Sequence, residues 1–385
     1  MRIVYFIVTI IIFFSLSSCV LSQLENIPEN IVDSAYGIDS TQTTKESSKS
    51  TSIPTKTITV SATPTSTNTP IPPTSTFTPT ITPTPKPLAI FSSSNLRMGV
   101  VPTTYIEDVC VYLESRWGEG KSEPGTIVAP FMFHSVAKPG REIIDSTTMS
   151  MAHFEYFMAK AKELGFSTIT ASELIGFLES NERIPQKSMI MILDDRRPGV
   201  TELFMPYLED NDWTLTLAWP TTDATYEGLW ERMEGLASTG RLDVQSHGHD
   251  HIYIQDYTPI EEIEEEIYKP IEVIQDHFGT IPEALIWPGG NFTAQSIQMA
   301  KEAGFKVGFS VYSNGPLMYN WIPLREEQSI FNEPLMVLPR YWSPDAEVAL
   351  EHALAISEQA IAYAEEVKEE EMNFYQMYCQ PKESD

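Results

Sequence analysis

The sequence predicts an α/β domain built on a mostly parallel sheet. Downstream of residue 88, short apolar runs alternate with segments of helical periodicity. Polar residues gather where those runs end, and the stretch is about the length of one α/β barrel.

The elements follow in order. "APFMF" (129–133) is an apolar strand ending at His134. "MAHFEYFMAKAKELGF" (151–166) repeats Phe154, Phe157, Ala161 and Leu164 at helical spacing and stops at Gly165. "TASELIGFL" (170–178) opens with Thr170 and Glu173 at capping-box spacing. "SMIMIL" (188–193) suits a buried strand and stops at Asp194-Asp195, and "TLTLAW" (214–219) reads as the next. "LDVQS" (242–246) leads into a histidine cluster. A helix then follows with Thr258 as cap, Pro259 as first residue, and Ile260, Ile263, Ile267, Ile271, Ile274 and Phe278 on one face. "EALIW" (283–287) and "KVGFSVY" (306–312) are further strands. The helix "EVALEHALAISEQAIAYAEEVKEEE" (347–371) packs one apolar face on the sheet assembly.

The chain carries 53 acidic against 25 basic side chains, a net charge of −28. Phosphate binding needs clustered Lys and Arg, so no nucleic acid partner is expected. Two acidic runs, "EEIEEEI" from Glu261 and "EEVKEEE" from Glu365, read as solvated helix faces.

At the N-terminus, Arg2 precedes an apolar stretch from Ile3 to Phe14 and then small residues. That stretch is short for a membrane span and reads as a signal peptide over residues 1–18. Leu16-Ser17-Ser18-Cys19 resembles the bacterial lipobox, which implies a lipid on Cys19 and an extracytoplasmic, membrane-anchored lipoprotein. An uncleaved transmembrane anchor is the other reading, and both export the chain. From Ser40 to Pro87 the sequence is almost entirely Thr, Ser and Pro, which cannot bury a core and favour extended polyproline. Residues 19–87 are read as a disordered stalk ahead of the domain at 88–385. Outside the reducing cytosol, Cys110 and Cys379 are candidates for a disulfide.

Chemistry concentrates in "SHGHDH" (246–251), which holds three of seven histidines. On a helical turn, His247 and His251 share a face and His249 points elsewhere, a solvated residue without a role. Two imidazoles and a carboxylate make a catalytic zinc set, with Asp194-Asp195 as the source of the carboxylate. Two adjacent aspartates ending an apolar strand are otherwise costly to bury. The bland alternative is a strand-end turn with Asp capping a helix and a solvated histidine loop. Trp219, Trp287 and Trp342 lie near strand ends and are candidates to stack on sugars, although core positions suit them better.

Between Thr126 and Pro344, "APFMFHSV", "MILDD", "SHGHDH", "IWPGG" and "LPRYW" resemble, in order, the motifs of NodB-homology polysaccharide deacetylases, carbohydrate esterase family 4. The resemblance implies a distorted (β/α) barrel that removes acetyl groups from N-acetylglucosamine-type polymers. It implies a divalent metal, zinc before nickel or cobalt, on Asp195, His247 and His251, with Asp194 as general base. It also implies that the Gly289 N–H stabilises the oxyanion. The departures are Ile286 in place of an Arg, Gly289 in place of an aromatic, and Arg196 in place of a glycine. The motifs that supply the general acid are missing. Arg340 or Arg196 then orients the base, and His134 is the candidate acid. The rival reading is a catalytically impaired glycan-binding lipoprotein of the same fold.

Overall fold

The computed structural model describes residues 88–380. The expected signal peptide, Cys19 and the stalk lie outside them. The strands are β1 (Val100–Thr103), β2 (Ile127–Phe133), β3 (Ser135–Ala137), β4 (Thr148–Ser150), β5 (Ser167–Thr168), β6 (Lys187–Asp194), β7 (Leu215–Trp219), β8 (Leu242–Ser246), β9 (Ala284–Ile286), β10 (Val307–Phe309), β11 (Ile322–Arg325) and β12 (Tyr341–Trp342). The helices are α1 (Val109–Trp117), α2 (Met151–Glu163), α3 (Ala171–Ser180), α4 (Pro198–Asn211), α5 (Glu227–Ala237), α6 (Ile260–Phe278), α7 (Ala294–Ala303), α8 (Glu326–Ser329) and α9 (Ala346–Phe374).

The main sheet runs β10-β9-β8-β7-β6-β2-β12, with β5 paired to the first half of β6, and every pair in it is parallel. Helices fill the crossovers, as parallel pairing requires. Leu338 forms a parallel bridge to Phe309 and exchanges backbone bonds of 2.8 Å with Gly308 and Ser310. A few residues later β12 pairs with β2. One short segment therefore reaches from β10 to β2 and curls the sheet into a distorted (β/α) barrel. The ring is thin in places. β8 and β9 share a single residue pair, Ser246 with Leu285, and the Gln245 side chain fills in by accepting the N–H groups of Glu283 and Ala284 at 2.8 Å.

Strand alternation decides which side chains reach the site. On β6, Met189, Met191 and Leu193 pack in one apolar cluster, whereas Ile190 and Ile192 pack in the other. Asp194 shares the parity of Ile190 and Ile192. His134 likewise shares the parity of Val128, which lies in that second cluster. Trp219 has the parity of Leu215 and Leu217, and all three pack in the first cluster. It faces away from Asp194 and is fully buried, as is Trp287. Neither is open to a sugar, and only the half-buried Trp342 keeps an exposed edge.

Several local expectations change. The helix α6 starts at Ile260 with Pro259 in the cap position, and Thr258 instead accepts the Gln255 N–H. The capping box of Thr170 and Glu173 is present at α3. Each acidic run contains one buried glutamate, Glu266 and Glu371, so neither run is wholly a solvated face. Glu371 accepts Arg116 Nε at 2.8 Å and Trp117 Nε1 at 2.7 Å, joining α1 to α9. Cys110 and Cys379 form a disulfide beside this junction, with Cα atoms 5.2 Å apart. α9 buries Ala349, Leu350, Ala353, Ile356 and Ala360 against the sheet and α2. Among the described residues, no helix is long and apolar enough to cross a membrane.

Candidate metal centre

The chemistry-bearing residues meet at the C-terminal ends of the barrel strands. His134 follows β2, Asp194 ends β6 and Asp195 follows it, His247 follows β8, Gly289 lies just beyond β9, and Arg340 precedes β12. The loop after β8 is irregular, not the helical turn expected from the His-x-x-x-His spacing. Gly248 has φ 76° and His251 φ 60°, and these two left-handed residues fold the imidazoles toward each other. Asp195 has φ 70°, which turns it sharply out of β6 toward them. Non-glycine residues persist in this region only where the surroundings hold them there.

His247 Nε2 lies 3.1 Å from His251 Nε2 and 3.8 Å from Asp195 Oδ1, and His251 Nε2 lies 3.3 Å from the same oxygen. Ligands at roughly 2.0–2.1 Å from a tetrahedral zinc are roughly 3.3 Å from one another. The donor set therefore fits one ion by chemistry and by spacing. His247 Nδ1 donates to Ile286 O at 2.7 Å, which leaves the Nε2 lone pair to face the site. Burial lowers the pKa of both His247 and His251, favouring the neutral form that ligates. The side chain of His247 is 1% exposed, whereas Asp195 and His251 are 26% and 31% exposed. One side of the cluster is thus open, as a catalytic site requires.

Asp194 lies beside this cluster and is buried. Its Oδ1 accepts Arg340 Nη1 at 2.6 Å, and its Oδ2 faces His134 Nε2 at 3.7 Å. Burial pushes its carboxyl up, but Arg340, His247 and His134 outweigh this and hold it below the usual carboxylate range. Arg340 is fully buried and anchored through Nε to Ser310 O at 2.8 Å. Of the two arginines weighed as orienters of the base, Arg340 pairs with Asp194. Arg196 instead donates to Thr225 Oγ1 at 2.7 Å.

His134 is largely buried, and its pKa is lowered by that burial despite Asp194 beside it. His153, His277 and His352 bond elsewhere, to Glu347, Glu234, and Tyr341 with Asn95. At Gly289, φ is 61°, and an added Cβ would lie 2.9 Å from the Tyr253 ring and 3.0 Å from Asn291 Oδ1. The neighbouring Gly290 and Asn291 N–H groups are spent on Trp287 O and Pro288 O.

Residues 181–308 match the family model for polysaccharide deacetylase. That segment contains Asp194, Asp195, the histidine loop and Gly289, while His134 and Arg340 fall on either side of it. No curated protein sequence matches the chain. Among solved structures, a deacetylase from Streptococcus pyogenes, PplD in complex with acetate, is 15% identical with a TM-score of 0.49, covering 60% of this chain and 99% of that one. IcaB from Ammonifex degensii is 15% identical with a TM-score of 0.47, covering 60% and 97%. A de-N-acetylase from Aggregatibacter actinomycetemcomitans is 15% identical with a TM-score of 0.44, covering 56% and 94%.

Three residues of the deacetylase-like segment carry roles that sequence reasoning missed. Arg197 Nη2 donates to Asp195 Oδ2 at 3.1 Å, leaving Oδ1 toward the histidines. His249 is buried, not solvated, and bonds Thr221 Oγ1 at 2.9 Å, which ties the loop to the end of β7. Glu266 sits under the same loop. Only Arg197 had a sequence signal, its place in "DDRRP".

Proposed function

We propose that this chain is a metal-dependent N-deacetylase removing acetyl groups from an N-acetylglucosamine-type polysaccharide at the cell surface. The observation that carries this reading is the convergence of Asp195, His247 and His251 beside Asp194, a buried carboxylate paired with Arg340. The deacetylase family match over residues 181–308 supports the reaction class.

Asp195, His247 and His251 would hold the ion. Zinc suits two imidazoles and a carboxylate, and when bound it supplies Lewis acidity to a carbonyl oxygen and makes a water more acidic. Asp194 takes the proton of the attacking water. Arg340 occupies Oδ1 and keeps the group ionised, so Oδ2 is the oxygen that works. His134 is neutral at rest and begins as an acceptor. Its Nε2 is 3.7 Å from Asp194 Oδ2, a span that one water bridges, and through that relay it takes the proton and delivers it to the leaving amine nitrogen. The Gly289 N–H donates to the developing oxyanion.

The surface location rests on the sequence, with a signal peptide over residues 1–18, a lipid on Cys19 and the stalk beyond it. Net acidity suits a neutral amino-sugar polymer better than an anionic one. The alternative, a catalytically impaired glycan-binding lipoprotein, draws no support from the site, because Arg340 supplies the guanidinium that Ile286 lacks.

The deciding experiment compares wild type, Asp194→Asn and His247→Ala for bound metal and for acetate released from chito-oligosaccharides. Asp194→Asn is expected to keep about one ion per chain and release no acetate, while His247→Ala loses the ion. Substantial turnover by Asp194→Asn overturns the assignment of the base.

A further inference from the structure

The loop at 247–252 carries two of the three proposed ligands but has no regular secondary structure. Its backbone is held from below by one side chain. Glu266, from α6, is 3% exposed. Its Oε2 accepts the Asp250 N–H at 2.9 Å and its Oε1 the Ile252 N–H at 3.0 Å, with the His249 N–H as a third donor. The bonds at 250 and 252 bracket His251, the ligand in the left-handed region. Gly248 completes the fit, because an added Cβ there would lie 2.0 Å from Glu266 Oε1.

A carboxylate is an expensive choice for this position. The buried face of α6 is otherwise Ile263, Ile267, Pro270 and Ile274, and an apolar residue would continue it without burying a carboxylate, though it would strand the loop N–H groups. Burial pushes the Glu266 carboxyl up to about 7 even against its N–H donors. What an apolar residue cannot do is gather donors from both sides of His251 and impose one backbone path on the loop.

We infer that Glu266 is a positioning residue of the metal centre, acting through the backbone of residues 249–252 to set the geometry of His247 and His251. This deepens the proposed function and rests on its assignment of those ligands. Glu266 is expected to leave substrate contacts alone and to govern how tightly the site holds its ion.

The test measures zinc affinity by competition with a chromophoric chelator, for wild type and Glu266→Gln, alongside metal-free melting and near-UV circular dichroism. An amide keeps the volume but turns one N–H donor against an NH2 group. The variant is expected to bind zinc about 10- to 100-fold more weakly, as loss of outer-shell partners does elsewhere, with its metal-free melting close to wild type. Lowered metal-free melting with unchanged zinc affinity overturns the inference, since that is the mark of a purely structural glutamate. If Glu266→Gln does not fold, Glu266→Asp keeps the charge but shortens its reach, and the same two outcomes apply to it. A wild-type chain that takes up no zinc fails differently, since it removes the metal-site reading itself.

Discussion

Arg340 Nη1 donates to Asp194 Oδ1 at 2.6 Å, and the two side chains are 0% and 2% exposed. They are 146 positions apart in sequence. Arg340 belongs to the segment that pairs with β10 and β2, so closing the barrel and orienting Asp194 are one structural event. Arg340→Met leaves a buried carboxylate without its cation, which costs about 3–5 kcal/mol. Urea unfolding should show a loss of that size, because the burial that raises the Asp194 carboxyl then loses its strongest opponent. The acid limb of any surviving turnover should move upward for the same reason. Unchanged stability would mean that the pair contributes nothing.

Acid should destabilise the metal-free protein in two stages. Burial lowers the pKa values of His134, His247 and His251 from 6.5, so the unfolded chain binds their protons first. Their contribution is complete above 6.5 and is lost as pH falls through the lower folded values. Each adds a slope of up to about 1.4 kcal/mol per pH unit. Asp194, depressed from 3.8, contributes stability above that value and loses it only on further acidification. The raised carboxyls of Glu266 and Asp243 act in the opposite sense, gaining stability as pH falls. Urea midpoints of metal-free protein should therefore decline below the mid-6 range less steeply than three imidazoles alone require, and the decline should weaken further in His134→Gln. An unchanged slope in that variant would contradict a buried neutral His134.

The strands were legible because a strand buried on both faces is a short run of apolar residues bounded by polar ones, and "SMIMIL" ends at the two aspartates as β6 does. That Asp195, His247 and His251 come together was legible from residue type and from their shared place at strand ends. The loop conformation was not. His-x-x-x-His spacing fits a helical turn, and the loop meets the same requirement with left-handed residues at 248 and 251. Glu266 and Glu371 were hidden inside charge runs, because sequence shows the run but not which residue rotates inward. Arg340 was only one of two candidates, since its pairing depends on the ring closure that brings residue 338 beside β10.

The disulfide should matter most at the chain's end. It joins the start of α1 to the residues following α9 across 269 positions. Linking so distant a pair removes much freedom from the unfolded chain. Replacing both Cys110 and Cys379 with Ser should cost about 2–5 kcal/mol. The pair Arg116 with Glu371 still holds α1 to α9 nearby, so hydrogen exchange should rise mainly beyond residue 371. Reductant should lower the melting temperature of the wild type but not of the double variant. Equal sensitivity in both would show that the bridge does not form in solution.

In the proposed mechanism, His134 separates proton delivery from metal binding. It lies outside the Asp195, His247 and His251 cluster, and its Nε2 faces Asp194 Oδ2 at 3.7 Å, beyond direct hydrogen-bond range. Removing the imidazole therefore leaves no buried ion unpaired, because Arg340 still neutralises Asp194. His134→Gln should keep its metal and lose no more than about 1 kcal/mol of stability. General acid–base catalysis is typically worth 10²–10⁴-fold, so kcat should fall by about that factor with KM little changed. Substrates with a better leaving group need less protonation and should suffer less. A uniform loss across leaving groups, or a loss expressed in KM, would move His134 from proton transfer to substrate binding.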